Sequence, residues 1–152
     1  MLFCIKWFEV LSKLGIDFGI IGYSNSPSIH KGFDKRLEHV DKDLLTSEMI
    51  AFYNRGGGNN EVLALREALD QIEPESGDTK TVIFFSDGQL CTDCDPNELR
   101  QLFKEAERKN VRIIGIGIGR DANFVKDWFS PGIYVEDVKN LPDVLGKVLI
   151  DI

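Results

Sequence analysis

Asp87 is the residue of this 152-residue sequence whose type and position point most directly to chemistry. It follows residues 81–85 (TVIFF), a β-branched and aromatic run without alternation, which is the pattern of a strand covered on both faces. A carboxylate directly after such a strand is held at the end of the sheet with little freedom. Asp87-Gly88 is also a common turn pair, because both residue types favour turns. From Asp87 alone, a binding carboxylate at the end of the sheet and an ordinary turn residue both remain open.

A glycine loop supplies the second candidate. Residues 56–60 (GGGNN) cannot hold regular structure, yet a helical stripe of apolar residues begins directly afterwards. Asn59 or Asn60 is the expected N-cap of that helix. If the loop reaches the same sheet edge as Asp87, Asn59 adds a neutral oxygen beside the carboxylate. One carboxylate, neutral oxygens and several waters suit Mg²⁺, so we predict Asp87 and Asn59 as metal ligands of a weak Mg²⁺ site.

A rival motif lies near the end of the chain. Gly117-x-Gly119-x-x-Ala122 follows a predicted strand, and Glu136 comes roughly 20 residues later, which fits a dinucleotide fingerprint. The helix after the motif is short, and too little chain follows to build a second nucleotide-binding half. The alternative to a Rossmann-like nucleotide-binding enzyme is a close turn between strand and helix that needs small residues.

Other reactive side chains give weaker signals. Cys91 and Cys94 form one pair where structural zinc needs four ligands, so we interpret them as an incidental pair in a loop. His30 and His39 lie in polar sequence and are expected on the solvated surface. No nucleophile can be matched with a base, so the sequence does not support enzymatic activity.

Composition limits the classes of partner. With 43% hydrophobic and 28% charged residues the chain is neither disordered nor fibrous, and no apolar run is long enough to span a membrane. Its 18 basic and 25 acidic residues give a net charge of −7, which disfavours nucleic acids and acidic substrates. Three cysteines without a disulfide framework predict a reduced, cytoplasmic protein. The length predicts a single domain over residues 1–152.

Strands alternate with helices along the whole sequence. The predicted helices cover residues 3–14, 43–53, 62–72, 96–106, 122–129 and 141–148, and the predicted strands cover residues 18–23, 29–33, 81–85, 111–118 and 133–135. This order predicts an α/β fold, a doubly wound and mostly parallel sheet with helices on both faces. Ligands of such sheets bind outside the carboxyl ends of the strands. The residues found there are Ser24, Asp87, Gly119, Asp121 and Glu136.

Four segments together resemble the von Willebrand factor A domain. They are GIIGYS at 19–24, GGGNNEVLALREAL at 56–69, VIFFSDG at 82–88 and IIGIGIGRDA at 113–122, and the resemblance covers nearly the whole chain. Within that family, residues 116–149 are most similar to the C-terminal A domain of the cobalt chelatase T subunit, a partner of an AAA+ ATPase. The resemblance implies a protein-interaction module, an accessory to a chelatase-like machine.

The resemblance also implies a metal-ion-dependent adhesion site (MIDAS) built from three loops. Asp87 matches the third motif, and Asn59 falls where the second motif usually has Thr. The cation would bridge to a carboxylate of a protein partner. The first motif, D-x-S-x-S, occurs nowhere in the 152 residues. A metal-free scaffold or remnant domain therefore remains an alternative.

The family's sheet order, 3-2-1-4-5-6, places the strand that carries the first motif between the strands at 18–23 and 81–85. Both of these are expected to be fully buried, so an empty position would leave backbone groups unpaired. The sequence thus reads as an N-terminally incomplete A domain. The position could be filled by a strand from another copy or from a separate or upstream polypeptide, by direct pairing of the two flanking strands, or by an extended segment 1–8.

Overall fold

A computed structural model describes residues 2–37, 42–54, 58–89, 91 and 95–150 of the chain. Gly56 and Gly57 of the glycine loop, His39 and Cys94 lie outside the described residues. The chain forms two compact units, Met1–Glu75 and Ser76–Ile152. The predicted single domain 1–152 stays a prediction.

Within its described residues, the first unit has three α-helices and a β-hairpin. Its elements are α1 (Leu2–Lys13), β1 (Ile20–Tyr23), β2 (Pro27–Lys31), α2 (Lys42–Asn54) and α3 (Glu61–Ile72). The strands β1 and β2 are antiparallel, with Tyr23 opposite Pro27. The chain leaves α1 through Gly15, whose φ of +72° suits the left-handed end of a helix. Because α1 begins at Leu2, the suggestion that residues 1–8 form an extended strand is wrong.

The core of the first unit joins β1 to the neighbouring helices. Ile20, Leu37 and Leu45 are buried there, and Phe8, Phe18 and Met49 pack against them. Lys31 is also buried, with 5% of its surface exposed. Its ammonium group donates hydrogen bonds to the carbonyl oxygens of Phe18 and Gly32, and it lies 4.5 Å from the centre of the Phe18 ring. These acceptors compensate for the water molecules that the charged group loses when it is buried.

The second unit is a parallel α/β layer. Its elements are β3 (Lys80–Ser86), α4 (Pro96–Arg108), β4 (Val111–Ile118), α5 (Val125–Trp128), β5 (Gly132–Val135) and α6 (Leu141–Ile150), with the strand order β3-β4-β5. Asp95 caps α4 by accepting a hydrogen bond from the backbone N–H of Asn97 at 2.8 Å, and Pro96 occupies the first turn. The α/β class and most of the predicted elements are confirmed.

Two expectations about the strands need correction. Within β3 only Phe84 and Ser86 are buried, and within β1 only Ile20 is. The remaining residues of both strands are partly exposed, so neither strand is covered on both faces. Among the described residues, hydrogen-bonded ladders join β1 to β2 in one sheet and β3, β4 and β5 in another. The suggested direct pairing of β1 with β3 is therefore absent from these ladders.

The predicted helix over residues 122–129 is interrupted. A 3₁₀ turn at Arg120–Ala122 is followed by α5, which has only four residues. Three glycines let this segment lie directly on the sheet, and we call Gly115, Gly117 and Gly132 the glycine shelf. A Cβ atom on these residues would approach the Phe129 ring to 2.3 Å, the Ala122 carbonyl oxygen to 2.1 Å and the Val125 carbonyl oxygen to 2.0 Å, respectively. Only glycine fits at such distances.

Candidate functional site

Asp87 lies at the carboxyl end of β3, where the sequence places it. It is the first residue after the strand, and it is exposed. The buried Ser86 forms a tight turn with Gly88, because its Oγ lies 3.5 Å from the backbone nitrogen and 3.4 Å from the carbonyl oxygen of Gly88. Asp87 is thus both a turn residue and a carboxylate presented at the strand end, and the two sequence interpretations are compatible.

The ends of all three parallel strands meet at the edge that carries Asp87. Ser86 of β3 pairs in register with Gly117 of β4, and the backbone N–H of Gly119 donates to the carbonyl oxygen of Val135 at 2.9 Å. Gly119 and Glu136, which follow β4 and β5, therefore lie at the same edge as Asp87, as predicted. The side chain of Glu136 is exposed, and so is that of Asp121.

Asn59 belongs to the first unit, in the loop that leads into α3. Both neighbours of Asn59 are anchored to the turn that follows β1. The backbone N–H of Gly58 donates to Asn25 Oδ1 at 2.8 Å, and the backbone N–H of Asn60 donates to the carbonyl oxygen of Ser24 at 2.9 Å. The structure therefore brings the second-motif loop and the predicted edge residue Ser24 together.

The two adjacent asparagines have different roles. Asn60 is the N-cap of α3, because its Oδ1 accepts a hydrogen bond from the backbone N–H of Leu63 at 3.0 Å. Asn59 instead donates from Nδ2 to Oε1 of Glu61 at 2.6 Å. Glu61 has 0% of its surface exposed, which its place in the sequence does not predict. The only sequence signal for Glu61 was an acid at the first position of a helix, which usually indicates no more than a favourable interaction with the helix dipole.

The donor atoms of the predicted metal site fit a hard divalent cation. Asp87 offers a carboxylate and Asn59 an amide oxygen, and Mg²⁺ prefers oxygen ligands of this kind. In the part of the chain that the structure describes, no group of three or more His, Cys, Asp or Glu side chains is arranged to hold a metal ion. The charge that these residues can supply is therefore small. Since Asn59 and Asp87 belong to different units, their pairing stays a prediction.

The rival nucleotide motif has a structural explanation. Gly117 belongs to the glycine shelf, and Gly119 has a φ of +84°, which favours glycine over other residues. A dinucleotide fold needs the N-terminus of a long helix after the glycines to hold the phosphates. Here the glycines lead into the 3₁₀ turn and into the four-residue α5. Close packing accounts for Gly117 and the positive φ accounts for Gly119, and the exposed Glu136 alone does not indicate a nucleotide.

His30 is not on the solvated surface as expected. Its ring is partly buried on β2, edge-on to Phe52 of α2 at a centroid distance of 5.4 Å. Burial lowers the pKa of His30 below its usual value of 6.5, while the nearby carboxylate of Glu48 acts to raise it. Polar neighbours in the sequence gave no sign of this contact, because Phe52 lies on another element.

No helix within the described residues has both the length and the apolar character needed to cross a membrane.

Comparisons with known proteins concern the fold and the family. No curated protein matches the chain. A structure of proximal thread matrix protein 1 (PTMP1) from the mussel byssus matches with a TM-score of 0.68 and 18% identity, covering 92% of this chain and 38% of that one. A second PTMP1 structure, with zinc in the MIDAS motif of that protein, matches with a TM-score of 0.62 and 18% identity, covering 93% of this chain and 41% of that one. The chain thus spans about two fifths of the length of these proteins, and at this identity the likeness shows the fold alone.

The family comparison covers more of the chain than any one motif does. The family model described as the von Willebrand factor type A domain matches residues 3–126, which include α1 except Leu2, the glycine loop, Asp87 and the whole of β4. From this match we conclude that the chain belongs to the von Willebrand factor type A domain family.

Proposed function

We propose that this chain is a protein-interaction module in which Asp87 and Asn59 ligate a divalent cation, Mg²⁺ by preference, that bridges to a carboxylate of a partner protein. The observation that carries the proposal is the exposed carboxylate of Asp87 at the carboxyl edge of a parallel sheet. Ligands of open α/β sheets bind at that edge. A binding role without catalysis agrees with membership of the family.

The small number of charged ligands sets the expected strength of the site. A single carboxylate compensates poorly for removing water from Mg²⁺, which gives up its hydration shell reluctantly. The free chain therefore binds the ion weakly and leaves most of its waters in place. A carboxylate from the partner adds a second negative charge, so metal and partner bind more tightly together than either binds alone.

The proposal extends to the partner. Residues 116–149 resemble the A domain of the cobalt chelatase T subunit, which favours a partner within an AAA+ ATPase machine of the chelatase type. The D-x-S-x-S motif is not in this sequence, so we propose that a strand from another polypeptide brings the missing acid and hydroxyl groups. A strand from a second copy would fill the same position in the sheet without bringing this motif.

A metal-free scaffold is the second candidate. It is favoured by the finding that no group of three acidic, histidine or cysteine side chains suited to a metal occurs among residues 2–37, 42–54, 58–89, 91 and 95–150. Such a module would bind its partner through surface contacts alone, without any dependence on divalent ions.

Titration calorimetry with Mg²⁺ tests the proposal directly. We expect saturable binding to the full chain and a loss of affinity of about tenfold or more in Asp87→Ala, because the only charged ligand is removed. Glu107→Ala is the matched control, since Glu107 is another exposed carboxylate of the second unit, near the end of α4 and beside the amino end of β4 rather than the carboxyl edge of the sheet. Equal affinities of the wild type and Asp87→Ala contradict the proposed site, and no binding to the wild type favours the metal-free scaffold.

A further inference from the structure

A fully buried carboxylate lies beside the proposed ligand Asn59. Glu61 is the first residue of α3 and has 0% of its surface exposed. An ionised carboxylate is costly to bury unless polar partners compensate for the lost water. The amino end of α3, a helix of 12 residues, provides part of that compensation through its dipole.

The helix does not need Glu61 as its cap, because Asn60 already fills that role. Glu61 accepts a hydrogen bond from Asn59, whose Nδ2 lies 2.6 Å from Oε1. The buried carboxylate group therefore contacts the side chain of the proposed ligand directly.

This bond determines which way the amide of Asn59 faces. The NH₂ end of the amide faces Oε1 of Glu61, so the amide oxygen of Asn59 points away from that atom. The backbone on either side is fixed by the bonds from Gly58 to Asn25 and from Asn60 to Ser24. The bond to Glu61 restricts the side-chain torsions of Asn59.

We infer that Glu61 is a positioning residue for the metal site, which holds the amide of Asn59 so that its oxygen is directed toward the cation. This inference rests on the proposed function. A ligand that is already oriented loses less conformational freedom when the ion binds. Groups that orient metal ligands in this way typically change metal affinity by about tenfold to a hundredfold when they are removed.

The first test needs no metal. In nuclear magnetic resonance spectra of the full chain, we expect the side-chain NH₂ signals of Asn59 to show a hydrogen-bonded shift and slow exchange. Glu61→Met removes the acceptor and should abolish both features, whereas Glu61→Gln keeps the shape and a neutral acceptor and should retain part of them. Glu67→Gln, on the same helix and partly buried, is the control. Unchanged Asn59 signals in Glu61→Met overturn the inference.

The second test measures affinity for Mn²⁺ as a paramagnetic substitute for Mg²⁺. We expect a loss of about tenfold in Glu61→Met and a smaller loss in Glu61→Gln. In an Asn59→Ala background the Glu61 substitutions should have no further effect, because Glu61 acts through Asn59. If Glu61→Met does not fold, Glu61→Gln and its combination with Asn59→Ala decide the question.

The outcomes separate the inference from the proposed function. Mn²⁺ binding that is lost in Asp87→Ala but unchanged in the Glu61 variants overturns the inference and leaves the metal site intact. A fall in stability of the Glu61 variants with unchanged Mn²⁺ affinity assigns Glu61 a structural role only. The absence of Mn²⁺ binding to the wild type overturns the proposed function, and the inference falls with it.

Discussion

At the scale of single residues, His30 shows how a contact across elements changes a titratable group. The ring lies edge-on to Phe52, and a Cβ atom on Gly22 would be 2.5 Å from Nε2 of the imidazole. The glycine on β1 therefore makes room for the ring. A neutral imidazole tolerates this apolar contact better than a charged one, which is why burial lowers the pKa of His30.

The shifted pKa predicts a pH dependence of stability. Since the pKa of His30 is lower in the folded than in the unfolded chain, the unfolded chain binds the proton more readily below pH 6.5, and stability falls as the pH drops. The slope from one such group is at most about 1.4 kcal/mol for each pH unit. Urea unfolding between about pH 7.5 and about pH 5, followed by the fluorescence of Trp7 in a Trp128→Phe background, measures it.

His30→Gln is the control for this pH effect. It removes the titrating ring while carboxylates elsewhere continue to titrate, so the free energy of unfolding should fall less steeply with decreasing pH than in the wild type. Identical slopes in both proteins would show that His30 makes no contribution.

At the scale of elements, the glycine shelf fixes the path of the chain between β4 and β5. Its three glycines let the turn at Arg120–Ala122 and the short α5 approach the sheet with no side chain between them. Phe129, which follows α5, then stacks on Phe84 of β3 at a ring distance of 5.2 Å. The shelf thus allows an aromatic contact that links the strands to α5.

Gly117→Ala should destabilise the second unit. The added methyl group would lie 2.1 Å from the carbonyl oxygen of Ala122, so either the turn or the strand has to move. Overpacking of this kind typically costs about 1–3 kcal/mol. The free energy of unfolding, followed by the fluorescence of Trp128 in a Trp7→Phe background, measures the loss.

Gly146→Ala is the matched control for Gly117→Ala. A Cβ atom on Gly146 meets nothing within 4 Å, and Gly146 lies within α6, where alanine is favoured over glycine by about 1 kcal/mol. We expect a neutral or stabilising effect. A loss of stability as large in Gly146→Ala as in Gly117→Ala would contradict the steric explanation.

At the scale of the whole molecule, the connection between the two units is exposed to proteases. The first unit ends at Glu75, and residues 76–79, which lead to β3, are exposed. Exposed connections without regular structure are preferred sites of proteolytic cleavage. We expect limited proteolysis with a broad-specificity protease to cut first within residues 73–79, giving two fragments that mass spectrometry identifies.

The turn at Val138–Asn140 serves as an internal comparison for the proteolysis. It is exposed as well, but it forms a 3₁₀ helix in which the backbone N–H of Asn140 donates to the carbonyl oxygen of Asp137 at 2.9 Å. Cleavage at this turn should therefore be slower. A first cut outside residues 73–79 would show that the connection is better protected than its exposure indicates.

Sequence patterns predicted most elements because local chemistry determines them. The Asp95-Pro96 start of α4 and the bounds of β4 depend on capping and on a continuous apolar run, and both were confirmed. Strand burial was predicted less well. The apolar residues of β3 indicated a strand covered on both faces, but burial depends on what the rest of the fold places against a strand, which the sequence of that strand does not contain.

The candidate site was predictable only in part for the same reason. Asp87 follows from its place after an apolar run. The sequence could not assign the cap to Asn60 rather than Asn59, because both residues are asparagine and the choice depends on where the helix begins. Glu61 was missed because its burial and its bond to Asn59 are tertiary facts.

The glycine shelf affects how genetic data on this protein would be interpreted. Saturation mutagenesis should find positions 115, 117 and 132 intolerant even of alanine, although none of them is a proposed ligand. The neighbouring Gly119, with its φ of +84°, should resist replacement as well. A screen would therefore show a pattern of intolerant glycines that resembles a phosphate-binding loop. The glycines of the shelf are required because other parts of the chain lie close to their backbone, and Gly119 is required because of its positive φ.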